Sequence, residues 1–422
     1  MLRLVRTMGT LKFDELQMFG MQLTDWNDFD EIVRKIESFR LAKAQHTGSY
    51  RVFKAEYLNS ELRQIYQQRI QRGETKTRES NDRSLSKFLK TQSSNMRDYA
   101  DACFRYLRAT GLVQVSHIGK SLSIIPERIA DVDYILSTID RNPCFVDDED
   151  NYGVYLGNAN LPQLLTDNRD RLAERLSAEF PAFKVLPSTT IQEMKDALAD
   201  LRETRKEEML LQQVKEIKDY KLYDEIQNTY KQIVDNELYD APLMLEWNTW
   251  RAMTMLDGGN VKANLNFDDF GNPISTAAGN MSDIVCDYGD FMLSVEVTMA
   301  NGQKQYDMEG EPVSRHLGRL KKDSGKPCYC LFVAPNINEA CVAHFYALHQ
   351  MNISYYGGKS VIVPLPMKVF QKMLEDSYRA AYIPNPAHVK SFFEKSVEII
   401  KASETETDWF EKMQQIAMNW LP

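Results

Sequence analysis

The sequence predicts an α/β (α+β) protein of more than one domain. A helical N-terminal region closes on a helix–hairpin element, and a mixed β-sheet flanked by helices follows. Three observations predict this. The 422 residues exceed an ordinary single domain. Helical apolar spacing gives way after about residue 243 to short continuous apolar runs, the mark of buried strands. Charge is uneven: the net is -9, yet residues 1–140 sum to about +4, leaving about -13 on the other 282.

Hydrophobic residues make up 43% and charged residues 26%, enough apolar side chain for more than one core. No apolar run reaches the ~18 residues of a membrane span. The opening "MLRLVRTMGTLKFDEL" lacks the apolar stretch of a signal peptide. Cys103, Cys144, Cys286, Cys328, Cys330 and Cys341 show neither CxxC nor paired zinc spacing. They read as reduced thiols, implying a cytoplasmic protein.

Residues 54–72 form a helix with a basic end, and 73–84 ("GETKTRESNDRS") a polar loop. From Glu61 to Arg97 nine Lys/Arg face four Asp/Glu, a local +5 that includes Arg72, Lys76 and Arg78. Local charge governs phosphate contact, although a solvated basic helix would carry the same charges. In "NMRDYADACFRYLRATGLVQVSHIGKSLSIIPER" (95–128), Tyr99, Cys103, Tyr106 and Leu107 recur at helical spacing. Thr110-Gly111 stops the helix, and two short strands turn near Gly119-Lys120. This is either the tail of a winged-helix unit, with Arg97, Arg105, Arg108 and Lys120 on DNA-facing polar surfaces, or an ordinary helix–hairpin. His117 is then a wing or surface residue. Residues 1–140 are thus expected as a DNA-recognition region, 141–187 as a linker rich in Pro, Gly, Asn and acids, and 188–422 as the catalytic part with a long charged helical arm.

In the third segment, 243–256 reads as an apolar-faced helix, and "SDIVCDY" and "FMLSVEVTM" as strands joined around "DYGD". "PCYCLFVAP", "NEACVAHFYALHQM", "KSVIVPL" and "PMKVFQKMLEDSY" read as strand, helix, strand and helix. A turn centred between Tyr288 and Gly289 would pair Asp283 with Ser294. Glu296 then becomes the diagonal neighbour, ~7–8 Å away. Two carboxylates so close repel unless a cation lies between them. Mg²⁺ fits, since it takes few carboxylates and keeps its waters, and the Val297 carbonyl could add an oxygen. Two acids flanking a turn are equally the marks of a surface strand. Glu296, with apolar neighbours in "SVEVT", tips toward a paired or metal-bound acid. Glu309 and His316 are seven apart, two helical turns, but Gly310 and Pro312 predict a kink or a new helix at Pro312. Arg315 and Arg319 could meet a phosphate.

"YGGKS" (356–360) is not a phosphate loop, because Ile353 stands where its first glycine belongs. His344 and His349, at spacing five, are structural, and Trp247 and Trp250 share a core-facing helix side.

The stretch "SDIV…SVEVT…QYDMEGEPVSRHL" resembles the catalytic core of the AlwI-like restriction endonucleases, which include strand-nicking enzymes. "NMRDYADACFRYLRATGL", "IIPER", "LEWNTWRA", "YGGKSVIVPL" and "FVAP" extend the resemblance over most of 95–365. It implies a type IIS enzyme that binds a short asymmetric duplex site and cuts outside it, with a PD-(D/E)XK-like nuclease domain and Mg²⁺. It implies Asp283 and Glu296 as metal ligands, Glu309 and His316 as a further acid and histidine, and Glu246 as a supporting acid that could also be a plain helix-surface carboxylate. Two-strand cutting would need a homodimer or a second catalytic subunit. The lysine usual two residues after Glu296 is Thr298 here, which admits a rival reading: a DNA-binding or specificity subunit with an inactive nuclease domain. A weaker reading is a repair or mobile-element nuclease that reads DNA structure. Family members begin with a longer recognition region, which implies a shorter relative or a truncated gene product.

Overall fold

The structure is a computed structural model describing residues 1–78, 80–117, 120–139, 145–157, 168–256, 260–268 and 270–421. The chain divides into two compact units, Met1–Asp196 and Ala197–Pro422. Among the described residues no helix is long and apolar enough to cross a membrane.

The first unit runs α1 (Leu2–Met8), β1 (Thr10–Lys12), α2 (Phe13–Met18), α3 (Phe29–Gln45), α4 (Tyr50–Ile65), α5 (Gln67–Gln71) and α6 (Leu85–Ala109). Then come β2 (Val113–Ser116), β3 (Ser121–Ile124), α7 (Ile129–Thr138), α8 (Glu149–Gly157) and α9 (Arg169–Glu179). The expected helix–hairpin is present as α6, β2 and β3, and β1 joins it in a three-stranded sheet of order β1-β3-β2. The Ser84 hydroxyl accepts the Lys87 amide to cap α6.

The buried stripe of α6 differs from the expected one. Phe88, Met96, Ala100, Phe104 and Leu107 are buried, whereas Tyr99 and Tyr106 are 68% and 75% exposed. Both sets keep helical spacing, and a tyrosine tolerates water at its hydroxyl end, so spacing alone could not choose between them. Tyr99, Cys103 and Tyr106 instead line an open groove of about 830 Å³ with Tyr66, Gln92 and Asn95. The segment expected as a linker also carries structure. In α9, Leu172 and Leu176 are buried at i, i+4 and Glu179 pairs with the buried Arg128. Its residues 141–144 and 158–167 lie outside the described residues.

Helix α10 (Ile191–Lys218) leads into the second unit, followed by α11 (Tyr223–Val234), α12 (Ala241–Leu256), β4 (Asn260–Ala263), β5 (Asn266–Phe267), β6 (Pro273–Ser275), β7 (Ile284–Asp287) and β8 (Met292–Val297). The unit ends with α13 (Gln303–Ser324), β9 (Cys328–Ala334), α14 (Glu339–Gln350), β10 (Ile362–Pro366), α15 (Met367–Arg379), α16 (Pro386–Lys401) and α17 (Glu406–Ala417). Five strands form one sheet of order β10-β9-β8-β7-β4. β8, β9 and β10 are parallel, while β7 runs antiparallel to both β8 and β4, so the sheet is mixed as expected. Every residue of β8 is buried, as befits a strand covered on both faces.

Two local expectations are corrected. The β7–β8 register sets Ile284 opposite Val295 and Val285 opposite Ser294. Continued one step, it puts Asp283 directly across from Glu296 rather than across from Ser294. The shift is even, so both acids keep the expected face. The second correction concerns α13, which continues through Pro312 as one 22-residue helix. An interior proline costs about 3 kcal/mol. Val313 and Leu317, fully buried on the same helix, each contribute roughly 1.5–3 kcal/mol and together outweigh it. The far end of α13 packs closely: a Cβ on Gly318 would come within 2.9 Å of the Tyr356 backbone. Lys321 and Lys322 donate to the Lys359 and Tyr355 carbonyls at 2.6 and 3.1 Å.

Candidate active site

Four segments supply five titratable side chains to one place, where β7 begins and β8 ends. Glu296 lies within β8, facing inward because its neighbours alternate into the two buried faces of the sheet. Asp283 sits just before β7 and is half-buried. The two strands exchange side-chain bonds. The Val297 amide donates to Asp283 Oδ2 at 2.8 Å, and the Asp283 amide donates to the Glu296 carboxyl. In an extended strand a residue's N–H and C=O point to the same edge, so the Val297 carbonyl also turns to the Asp283 side.

Glu246 comes from α12, 7% exposed, with its Oε2 accepting the Ala277 amide at 3.1 Å. Glu309 and His316 share one side of α13, two turns apart, because that helix does not break. His316 Nδ1 lies 3.1 Å from Glu296 Oε1.

The electrostatics are those of acids crowded in a poorly solvated place. Burial, then the charge of Asp283, pushes the Glu246 carboxyl up to about 8. Burial first, then Glu296, holds Asp283 well above the usual carboxylate range. Glu296 is raised in the same way, by burial and then by Glu309 and Glu246, against the Ser282 hydroxyl bond that opposes the rise. Glu309 is raised by burial, with the Thr298 hydroxyl and His316 pulling it back. His316 is lowered by burial and by Arg315 and Arg319. Acids that raise one another's pKa are acids short of positive charge.

Among the described residues no three His, Cys, Asp or Glu side chains converge closely enough to hold a metal ion unaided. Asp283 and Glu296 are each turned onto an amide, and a cation here would draw on two carboxylates, a carbonyl and water. That oxygen-only set fits a hard divalent ion that keeps several waters.

All five residues expected at the centre are therefore together. Arg315 and Arg319 are not aimed at it: both bond Asn280, Arg315 to its side chain and Arg319 to its carbonyl at 3.0 Å, fixing the loop that precedes Asp283. Sequence reasoning missed Ser282 and the contacts of Thr298. Thr298 Oγ1 accepts the Ala300 amide at 3.1 Å and bonds the Glu309 carboxyl. At the position where the resembled family usually has a lysine, a hydroxyl ties Glu309 to the end of β8. The sequence signal was a serine just before Asp283 and a threonine two after Glu296.

In the first unit, Arg97 and Arg105 are exposed on α6, Arg105 pairing with Asp101 at 2.7 Å, while Arg108 is half-buried. Arg72, Lys76 and Arg78 are exposed around the loop after α5, on either side of the buried Thr75 and Thr77. Lys120 lies just before β3 and is partly buried. Its lowered pKa comes from burial and from Lys54 and Arg97, with Asp14 opposing.

No curated protein matches the chain. Among solved structures it is similar to the small subunit (R.BspD6I2) of the heterodimeric restriction endonuclease R.BspD6I, at 26% identity and a TM-score of 0.35, covering 49% of this chain and 95% of that one. The model of the AlwI restriction endonuclease family matches residues 2–373, a span that holds both the acidic centre of the second unit and the helix–hairpin of the first. By that match, the chain belongs to the AlwI restriction endonuclease family.

Proposed function

We propose that the chain is a type IIS restriction endonuclease whose first unit, through a winged-helix element, binds a short asymmetric duplex site. Its second unit, with a PD-(D/E)XK-like sheet, hydrolyses a phosphodiester a few base pairs outside that site. Family membership makes a DNA endonuclease the coarse identity, with DNA as the partner. The observation carrying the finer reading is the Asp283–Glu296 pair, opposed where the β7–β8 register is continued one residue beyond Ile284, under a load of negative charge. Asp283, Glu296 and the Val297 carbonyl would hold Mg²⁺. When bound, the ion supplies charge neutralisation at the phosphate and a more acidic water.

The protein's own groups divide the remaining work. Hydrolysis breaks one P–O bond, adds a hydroxyl to phosphorus and delivers a proton to the leaving oxygen. Glu309 is the group suited to carry that proton. It keeps partial exposure, its pKa is raised toward neutrality, and Thr298 holds it in place. His316, lowered by burial and bonded to Glu296, keeps that carboxylate oriented. Glu246, anchored on Ala277, adds negative charge that favours a cation.

Among the described residues there is one such centre, so one chain would cut one strand. Two-strand cutting calls for a homodimer or a second catalytic subunit. The rival reading, a DNA-binding subunit with an inactive nuclease domain acting in the cytoplasm, rests on Thr298. The test is incubation of supercoiled plasmid with and without Mg²⁺, followed by run-off sequencing of both strands. We expect open circles with one break at a fixed offset from a short motif, and linear product only where two catalytic domains meet. No cleavage in Mg²⁺ or Mn²⁺ would leave the inactive-subunit reading standing, and breaks without a common motif would point to a structure-reading nuclease.

A further inference from the structure

Asp283 enters the acidic centre at the end of an exposed loop. Thr276, Ala278, Gly279, Asn280 and Met281 face solvent, Ala277 is half-buried, and Ser282 is buried. A segment that buries so little is placed by its hydrogen bonds rather than by packing. Those bonds come from three sides. The Ala277 amide donates to Glu246 Oε2 on α12 at 3.1 Å. Asn264, just after β4, donates from its side chain to the Ser282 carbonyl at 2.7 Å and from its amide to the Asp283 carbonyl at 3.0 Å. The third side is α13, whose Arg315 donates to the Asn280 side-chain oxygen and whose Arg319 donates to the Asn280 carbonyl at 3.0 Å.

The two arginines are four residues apart and so share one side of the helix. Glu311 orients Arg315, its two carboxyl oxygens accepting the Arg315 Nε at 3.2 and 3.1 Å. Both guanidinium groups are near enough to lower His316, after burial has done so. Yet both bond a neutral asparagine rather than the carboxylates of the centre. Asn280 adopts a φ of 70°, a left-handed conformation that most side chains enter at a cost and asparagine enters most readily after glycine. The residue gripped by both arginines is therefore the one where the loop turns. Two positions on, the Ser282 hydroxyl bonds the Glu296 carboxyl, and Asp283 follows directly. A shift of Asn280 would disturb the supports of both acids together.

We propose that Asn280 is a positioning residue for the metal-dependent reaction: tied by Arg315 and Arg319, it fixes residues 280–283 so that Asp283 and Glu296 are placed for a divalent cation before the cation arrives. This rests on the metal-dependent reading of the acidic centre and adds to it the device that sets the geometry. Asn280 itself touches neither cation nor substrate. Groups that orient ligands from behind in this way tune metal affinity without supplying a donor atom.

The experiment titrates Mn²⁺ into the full chain without DNA and follows the free ion by electron paramagnetic resonance. Plasmid nicking against Mg²⁺ concentration gives the second readout. Asn280→Gly keeps the positive φ without strain and removes only the side-chain acceptor. It should weaken Mn²⁺ binding by about ten-fold, while nicking at saturating Mg²⁺ returns to within about three-fold of wild type. Asn280→Asp keeps an acceptor, tolerates the same φ and should bind Mn²⁺ at least as tightly as wild type. Arg315→Met separates the tie from its charge. Losing a positive charge beside crowded acids strengthens cation binding, whereas losing the tie weakens it, and weakening is the expected result. Thermal melts in EDTA show which variants are folded, and if Asn280→Gly is not, the sign of the Arg315→Met effect decides alone. Mn²⁺ bound by Asn280→Gly as by wild type, or more tightly by Arg315→Met, overturns the positioning role and leaves the metal-dependent reading standing. Nicking by Asn280→Gly that stays low at saturating Mg²⁺, with Mn²⁺ affinity unchanged, would assign the loop to substrate contact and likewise overturn it. A wild type that neither binds Mn²⁺ nor needs a divalent ion to cleave overturns both.

Discussion

Asp283→Asn and Glu296→Gln should each lower plasmid cleavage by about 10³-fold or more, roughly 4 kcal/mol of lost transition-state stabilisation, while duplex binding stays within a few-fold of wild type. Both substitutions keep the volume and hydrogen-bonding oxygen of the side chain, so the bonds to the Val297 and Asp283 amides can persist. What they remove is one unit of negative charge from the pair that faces across β7 and β8. On the proposed reading, phosphate contact belongs to the cations of the first unit, so binding is expected to survive. Quantified nicking and a gel-shift titration in EDTA measure the two effects separately. Either variant cleaving within ten-fold of wild type would remove these acids from the chemistry, and cleavage and binding falling together would mean a folding defect.

In the absence of divalent metal, thermal stability should fall as pH rises through neutrality, and Mg²⁺ should restore it. The sign follows from the raised carboxyls. Glu246 titrates near 8 in the fold against an ordinary 4.5, so between those values the folded state holds more protons than the unfolded one. Its stabilising contribution is complete below 4.5 and is lost as pH climbs through about 8. Asp283, Glu296 and Glu309 are raised and act in the same direction. His316, His344 and His349 are lowered, by burial first, and act oppositely, but only below their ordinary 6.5. The useful window is therefore about pH 6.5 to 8.5. At ~1.4 kcal/mol per unit of pKa shift, the loss for Glu246 is of the order of a few kcal/mol, several degrees in Tm. Differential scanning fluorimetry of wild type and Glu246→Gln, in EDTA and in Mg²⁺, isolates the effect. Wild type should show the steeper decline in EDTA and the larger gain with Mg²⁺. Parallel curves for the two proteins would show that the crowded acids are not what titrates.

Much of this centre was legible in the sequence because its residues break local rules. Glu296 is an acid where every neighbour is apolar, and a buried acid has to be accounted for. The order of α12, β7, β8, β9, α14, β10 and α15 was legible for the converse reason, since continuous apolar runs leave a strand little choice, whereas β4, β5, β6, α16 and α17 were not foreseen. What was not legible depended on contacts distant in sequence. The β7–β8 register differs because the connection runs from Asp287 to Met292, centred between Gly289 and Asp290, one residue beyond the centre expected. The burial of Val313 and Leu317 decided that α13 would run through Pro312. The exposed side of α6 was misjudged because Tyr99 and Tyr106 fit the helical period as well as Phe104 and Leu107 do.

Helix α13 has a mechanical consequence. Near its start, Gln305 is buried and bonded to the Ala300 and Asn336 carbonyls at 2.8 and 2.9 Å and to the Asn338 amide at 2.7 Å. Toward its end, Gly318 lies against Tyr356. Both ends are clamped, and between them Pro312 leaves the Met308 carbonyl without its helical donor. The rod is softest midway between its supports. That soft segment separates Glu309 from His316, so any bowing of the helix changes the spacing of the proton carrier and the histidine while the sheet stays still. Hydrogen exchange should then run faster at the amides of Glu311 and Val313 than at those of Tyr306 and Leu320, and uniform protection along the helix would exclude such bowing. The active site would then possess one adjustable dimension, built from a missing N–H.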